Sequence, residues 1–133
     1  MSNEPGLKNV VRRAFAAGTW LLFLAILAQF LLAGLGVFAG GDFLVWHASF
    51  GAGVVALLAL LLVLAGWIGR VPGRTVGLAG AVIGLVIVQS LLLFPYHMGA
   101  QGPVRAISGL HVLNALLIFW VGTRLVMRAD QIH

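Results

Sequence analysis

The chain has no cysteine and only three acidic residues among its 133. The lack of cysteine excludes disulfides, thiolate metal sites and cysteine nucleophiles. Glu4, Asp42 and Asp130 all lie outside the long apolar runs, which argues against a hydrolase with paired carboxylates and against a proton pump. With 62% hydrophobic and 8% charged residues and a mean hydropathy of +1.11, the composition is that of an integral membrane protein.

Four apolar runs follow one another along the chain, with short polar connections between them. Each has the roughly 20 residues that cross a hydrocarbon core about 30 Å thick. The first is too long for the core of a signal peptide and is predicted to be retained as a helix. Short connections favour antiparallel neighbours. The sequence predicts a single all-α transmembrane domain over residues 1–133, an up-down-up-down four-helix bundle with helices at about 14–39, 43–68, 76–96 and 106–127.

Lysine and arginine are distributed unevenly over this topology. Arg105 lies at the end of the bundle that carries the first and third connections, and the other seven lie at the opposite end: Lys8, Arg12, Arg13, Arg70, Arg74, Arg124 and Arg128. The positive-inside rule therefore predicts a multi-pass protein of the cell inner (plasma) membrane with both termini cytoplasmic. Because the basic residues stand singly or in pairs at the ends of apolar runs, no nucleic-acid partner is expected.

The two halves of the chain repeat a glutamine followed by a histidine. Gln29 precedes His47 by 18 residues and Gln89 precedes His111 by 22, the longer second connection accounting for the difference. Each half contains two crossings, so the repeat predicts a pseudo-twofold axis along the membrane normal. The histidines then lie on the diagonal second and fourth helices of a square bundle, both about 8 to 9 Å from the outer end.

An ionisable ring within hydrocarbon is costly, so the two histidines indicate a functional site. Two imidazoles that meet across the bundle suit bis-histidine ligation of haem b, whereas zinc or copper would need three or four close ligands. Gly51 and Ala115, each one turn after a histidine, would make room for the macrocycle. Another metal or ligand, and histidines that only hydrogen-bond between helices, are the alternatives.

Further polar residues are assigned to the surroundings of this site. Arg105 is predicted to pair with a haem propionate, and His97 to cover the site or contact a propionate without ligating the metal. Gln29 and Gln89 are predicted to bond across helices, or to line a quinone or haem-edge pocket, nearer the midplane than the histidines. Candidates for hydrogen bonds to the ligands or propionates are Ser49, Ser108 and Asn114.

The segment LHVLNALL at residues 110–117, a histidine early in the second helix and the two-helix repeat resemble one four-helix half of haem A synthase. The chain is also similar in outline to small four-helix haem-b electron carriers and to bacterial four-span membrane proteins. The resemblance covers about residues 20–125 and implies that His47 and His111 ligate haem. The synthase has a glutamate and an arginine where this chain has Leu44 and Ala48, so the resemblance does not extend to its oxygenation chemistry.

These features predict a haem-b protein for electron transfer or redox sensing near the outer face, with a quinone or a redox protein as partner. One haem there leaves roughly 20 Å of a core of about 30 Å uncrossed, which disfavours transmembrane electron transfer by this chain alone. An oxidoreductase that modifies haem or quinone is a second hypothesis, and a non-catalytic accessory subunit of a larger membrane complex is a third. Gly80 and Gly84 indicate close helix packing or a homodimer face in the lipid bilayer.

Overall fold

The computed structural model describes residues 6–132, and this range is helical without any strand. It contains four helices that are long and apolar enough to cross a membrane, listed here with the labels used below: α1 (Leu7–Phe38), α2 (Asp42–Ile68), α3 (Gly73–His97) and α4 (Gly102–Ala129). The predicted all-α four-helix class is confirmed, and the chain is a multi-pass membrane protein.

All four helices begin earlier than the apolar runs predict, α2 by one residue and the other three by three or more. α1 begins at Leu7 rather than at residue 14, because Lys8 and the arginines that follow are good helix formers although they are polar. α3 begins at Gly73, directly after Pro72, and α4 begins at Gly102 with a proline in its first turn. Proline is well tolerated at the start of a helix, where its missing N–H is not needed. Hydropathy therefore locates the buried span, and local backbone chemistry locates the helix end.

Helices α2 and α4 depart from regular geometry beside their histidines. In α2 the segment Gly51–Val55 is a π-helix, which begins one turn after His47. In α4 the segment Ile107–Gly109 is a 3₁₀ turn, which ends two residues before His111. Such irregular turns inside helices occur frequently at functional sites. Both irregular segments therefore lie next to a histidine.

The helices pack as a square. α1 contacts α2 and α4, and α3 contacts the same two helices, so that α2 and α4 lie on a diagonal. Near the histidine, the segment Asp42–Phe50 of α2 packs mainly against α1 and against its own continuation. The diagonal placement agrees with the prediction from the repeat. The segment Asp42–Phe50 therefore has little packing against α3 or α4.

The buried apolar side chains are concentrated at one end of the bundle. This terminal end carries the described chain ends and the connection 69–72, and the opposite end, called the loop end, carries the connections 39–41 and 98–101. Fully buried side chains of the terminal half include Phe15, Leu22, Ala59, Val82, Leu125 and Ala129. In contrast, Asn114 is the only buried residue within 40–54 and 83–117. The level of the histidines therefore lacks a closely packed apolar core.

Glycines allow close helix contacts at positions other than those predicted. A β-carbon at Gly66 would lie 2.7 Å from Val76 Cγ2, and one at Gly122 would lie 2.9 Å from Ile26 Cδ1. At Gly80 and Gly84 a β-carbon would meet nothing within 4 Å, so these two do not mediate close packing within the chain. Gly80 instead borders an open groove of about 730 Å³ between α2 and α3 at the terminal end.

Large apolar side chains also cover the outside of the bundle. Phe38 and Trp67 are 91% and 81% exposed, and leucines on every long helix face outward as well. In a four-span protein these surfaces contact the lipid bilayer, where exposed apolar groups carry no penalty. The stability of the bundle must therefore come chiefly from interior packing and from polar contacts between helices.

Candidate functional site

The rings of His47 and His111 face each other across the diagonal of the bundle. Their centroids are 6.1 Å apart, and the ring planes are inclined at 64°. Both side chains are half-buried, on α2 and α4 respectively. The structure thus brings together, at one level, the two histidines that the sequence repeat relates by symmetry.

The same backbone contact orients both rings. Nδ1 of His47 lies 3.0 Å from the carbonyl oxygen of Gln29, and Nδ1 of His111 lies 3.5 Å from that of Gln89. A carbonyl only accepts hydrogen bonds, so in each ring Nδ1–H is the donor and Nε2 keeps its lone pair. Metal-binding histidines are commonly oriented in this way by a carbonyl behind the ring. Each half of the repeat therefore presents one imidazole that carries its lone pair on Nε2.

The side chains of the two glutamines behave differently. The amide Nε2 of Gln89 donates to Nε2 of His111 at 3.0 Å, and its Oε1 accepts a hydrogen bond from Asn114 Nδ2. Asn114, which is 5% exposed, also donates to the carbonyl of Leu85 at 2.9 Å. In the other half, Nε2 of Gln29 is buried and has no hydrogen-bond partner among residues 6–132. The predicted cross-helix bond is confirmed for the Gln89 side chain, whereas Gln29 contacts its histidine through the backbone.

This difference has a sequence origin that was missed. Three residues after His111 the chain has Asn114, and three residues after His47 it has Phe50. Positions three apart share a helix face, so Asn114 and Phe50 occupy equivalent positions on the same face as their histidine. An asparagine can hold the glutamine amide in position, whereas a phenylalanine offers it no hydrogen bond. Comparison of the two His-x-x-X segments is the signal that could have revealed this asymmetry.

The backbone carbonyls of the two glutamines contact the imidazoles directly. The position of Gln29 and Gln89 nearer the midplane than the histidines stays a prediction. Counting residues compares Cα positions only. In a helix each carbonyl oxygen points toward the C-terminal end, which for α1 and α3 is the loop end. The oxygens therefore lie closer to the histidine level than the residue count indicates.

Gly51 and Ala115 were predicted to make room for a macrocycle. A β-carbon at Gly51 would lie 3.0 Å from Nε2 and 3.3 Å from Cδ of Gln29, so the glutamine amide occupies the space beside this glycine. Ala115 is half-buried on α4. The small size of Gly51 therefore lets α1 and α2 approach, and the role of both residues beside a cofactor stays a prediction.

Arg105 and His97 belong to a separate group at the loop end. The guanidinium of Arg105 lies 5.1 Å from the ring centroid of Tyr96, and the ring of His97 packs edge-on against the same tyrosine at 5.6 Å. Both side chains are exposed, and in the described part of the chain neither is hydrogen-bonded to the facing histidines. Their contacts with propionates stay predictions.

The two candidate hydroxyl groups also differ in their surroundings. Ser49 is exposed on α2, two residues after His47. Oγ of Ser108, in the 3₁₀ turn that precedes His111, is buried and has no hydrogen-bond partner in the described part of the chain. A buried hydroxyl without a partner is costly, so Ser108 is the better candidate for contact with a bound group.

The donor set suits a metal that brings most of its own ligands. Within residues 6–132, no three His, Asp or Glu side chains converge as a metal site. Bonds of about 2.0–2.1 Å from a metal to two opposed imidazoles, with about 1.1 Å from nitrogen to ring centre, separate the centroids by roughly 6.3 Å. The observed separation is 6.1 Å. The ring separation thus agrees with two imidazoles on one metal, although Nε2 of His111 is hydrogen-bonded to the Gln89 amide in this structure.

Comparison with known proteins gives one match. The model of DUF6220, a family of unknown function, matches residues 29–95, which is half of the chain. The matched segment starts at Gln29 and includes His47 and Gln89, and it ends before α4. No curated protein and no solved structure matches the chain.

Proposed function

The chain belongs to the DUF6220 family, and on the geometry of its own site we propose that it is a membrane haem-b protein. His47 and His111 supply the two axial ligands, and the protein transfers electrons or senses redox state at the loop end. The observation that carries the proposal is the facing pair of rings, 6.1 Å apart, each held from behind by a glutamine carbonyl. Bound haem would supply one-electron chemistry at this site.

The residues of the chain would fix the position and the orientation of the ligands. The carbonyls of Gln29 and Gln89 hold both rings with the lone pair on Nε2, and the helices α2 and α4 set their separation. Within 40–54 and 83–117 only Asn114 is buried, so few closely packed side chains would have to move for a planar group to enter between the helices. Proximity to the loop end favours electron exchange with a quinol or a redox protein on that side of the membrane.

The same proposal includes the orientation of the chain in the plasma membrane. Seven of the eight lysines and arginines belong to the terminal end, where Arg12 bonds the carbonyls of Gly69 and Arg70 at 2.9 and 3.3 Å. Basic residues concentrate on the cytoplasmic side of membrane proteins. Both termini are therefore cytoplasmic, and the loop end with the haem faces outward.

Reporter fusions test this orientation. Green fluorescent protein fused to the C-terminus is expected to fluoresce, because it folds in the cytoplasm. Alkaline phosphatase, which requires an oxidising compartment, is expected to be active when inserted after Gly99 and inactive when fused at the C-terminus. The reverse pattern of phosphatase activity would contradict the orientation.

Haem content tests the proposed function itself. Protein purified in mild detergent from cells supplied with a haem precursor is expected to contain about one haem b per chain, identified by its pyridine haemochrome spectrum. The matched control is the His47→Ala/His111→Ala double variant, which is expected to be colourless. Wild-type protein that stays colourless after addition of haemin would refute the proposal.

A second candidate, an accessory subunit without a cofactor, is favoured by one observation. His111, Gln89 and Asn114 already satisfy one another's hydrogen bonds, as structural polar residues between helices do. This candidate predicts copurification of a stable membrane partner with cofactor-free protein. An enzymatic role has less support, because Leu44, at the position of the synthase glutamate, packs against Gly36 of α1 and offers no acid or base.

A further inference from the structure

The two histidines differ at Nε2, because only Nε2 of His111 has a hydrogen-bond partner among residues 6–132. This difference affects what the site can bind. We propose that His47 is the permanent axial ligand and His111 an exchangeable one, and that a small diatomic molecule takes the position that His111 vacates. The inference rests on the proposed haem function. It assigns to Gln89 and Asn114 the role of positioning residues that hold the displaced His111.

Within the described chain, the His47 ring is hydrogen-bonded through Nδ1 only, which leaves Nε2 to bind a metal. Its Nδ1 lies 3.0 Å from the Gln29 carbonyl, a normal hydrogen-bond length. Among residues 6–132 its Nε2 has no hydrogen-bond partner, and the Gln29 amide lies beside Gly51 instead of reaching the ring. No protein group therefore competes with a metal for the lone pair of His47.

His111 has a second partner for the same lone pair. The Gln89 amide donates to its Nε2 at 3.0 Å, while its Nδ1 contact at 3.5 Å is half an ångström longer than that of His47. Gln89 is itself held by Asn114, which is buried and anchored on the Leu85 carbonyl. If His111 left a metal, the hydrogen bond from Gln89 on α3 to its Nε2 would replace the bond to the metal.

The displaced arrangement also favours a polar ligand at the vacant position. A Gln89 amide beside Nε2 of His111 is a hydrogen-bond donor, and donors in the distal pocket of haem proteins stabilise bound diatomic molecules. A vacant axial position on ferrous haem accepts a neutral diatomic molecule without any further charge to compensate. Carbon monoxide is the simplest probe of this position, because it binds ferrous haem only where one axial ligand is absent or displaced.

The experiment is a carbon monoxide titration of the haem-loaded full chain reduced with dithionite, followed by absorbance. Wild-type protein is expected to be low-spin without carbon monoxide and to convert to the carbon monoxide complex. Gln89→Leu removes the competitor for His111 and is expected to weaken carbon monoxide binding about tenfold. Ser90→Ala is the matched control from the neighbouring position of α3, and its carbon monoxide affinity is expected to be unchanged because its Oγ bonds the Val86 carbonyl within the same helix.

Two further variants separate the roles of the histidines. His111→Ala is expected to retain haem in a high-spin form and to bind carbon monoxide at least as tightly as the wild type. Haem-loaded wild type whose reduced absorption spectrum is unchanged under saturating carbon monoxide would overturn exchangeability while leaving the haem proposal intact. Equal weakening by Ser90→Ala and Gln89→Leu would overturn the role of Gln89, and a wild type that binds no haem would overturn both proposals.

Discussion

Replacement of His47 by alanine is expected to abolish stable haem binding. Of the two facing rings, only His47 has an Nε2 lone pair without a hydrogen-bond partner in the described chain. Its Nδ1 is bonded to the Gln29 carbonyl. Loss of a residue that merely orients a metal ligand costs about 10–100-fold in affinity, so loss of the ligand should cost more than about 100-fold. Haemin titration of the purified variant, followed by Soret absorbance, measures the effect.

His97→Ala is the matched control for this prediction. His97 lies at the same end of the bundle, but it is exposed and packs against Tyr96 instead of the facing histidines. Its replacement is expected to leave haem affinity and the spectrum essentially unchanged. Retention of a wild-type spectrum by His47→Ala, or equal losses in both variants, would show that His47 is not the principal ligand.

The second large effect is expected at the opposite end of the bundle, where Phe15→Ala should destabilise the fold by about 3 kcal/mol. Phe15 is fully buried, and its ring packs so closely on Gly66 that a β-carbon there would lie 3.0 Å from Cε2. Lipid is as apolar as the interior, so the loss is mainly of packing contacts around the cavity. Unfolding in mixed detergent micelles with increasing dodecyl sulfate, followed by circular dichroism, measures the free energy of unfolding.

Phe38→Ala provides the matched comparison on the same helix. Phe38 is 91% exposed at the end of α1, so its removal leaves no interior cavity. Its free energy of unfolding is expected to change by less than about 0.5 kcal/mol. Equal destabilisation by the two substitutions would mean that the core does not lie at the terminal end.

Much of the architecture could be predicted because two strong patterns specify it. Four apolar runs of membrane-spanning length determine the helices, and the repeated glutamine and histidine predict that His47 and His111 meet on the diagonal. The positions of helix starts could not be predicted in the same way. Hydropathy records burial in lipid, whereas the start of α1 at Leu7 depends on the helix propensity of polar residues.

The finer organisation of the site depends on contacts that no residue count contains. Gln29 and Gln89 use backbone carbonyls to orient the imidazoles, and carbonyl groups are present at every position of a sequence. The asymmetry between the halves depends on Asn114 being close enough to hold Gln89, which requires the rotation of α4 about its axis. Rotation likewise decides that Gly80 faces open space. Periodicity alone leaves such rotations undetermined.

The most direct test of the central claim is the electron paramagnetic resonance spectrum of the oxidised, haem-loaded protein. Two imidazoles on one ferric iron should give a low-spin signal that accounts for about one spin per chain, and this signal should disappear in the His47→Ala/His111→Ala double variant. A wholly high-spin signal in the wild type, or a low-spin signal that the double variant retains, would contradict a haem held between these two histidines.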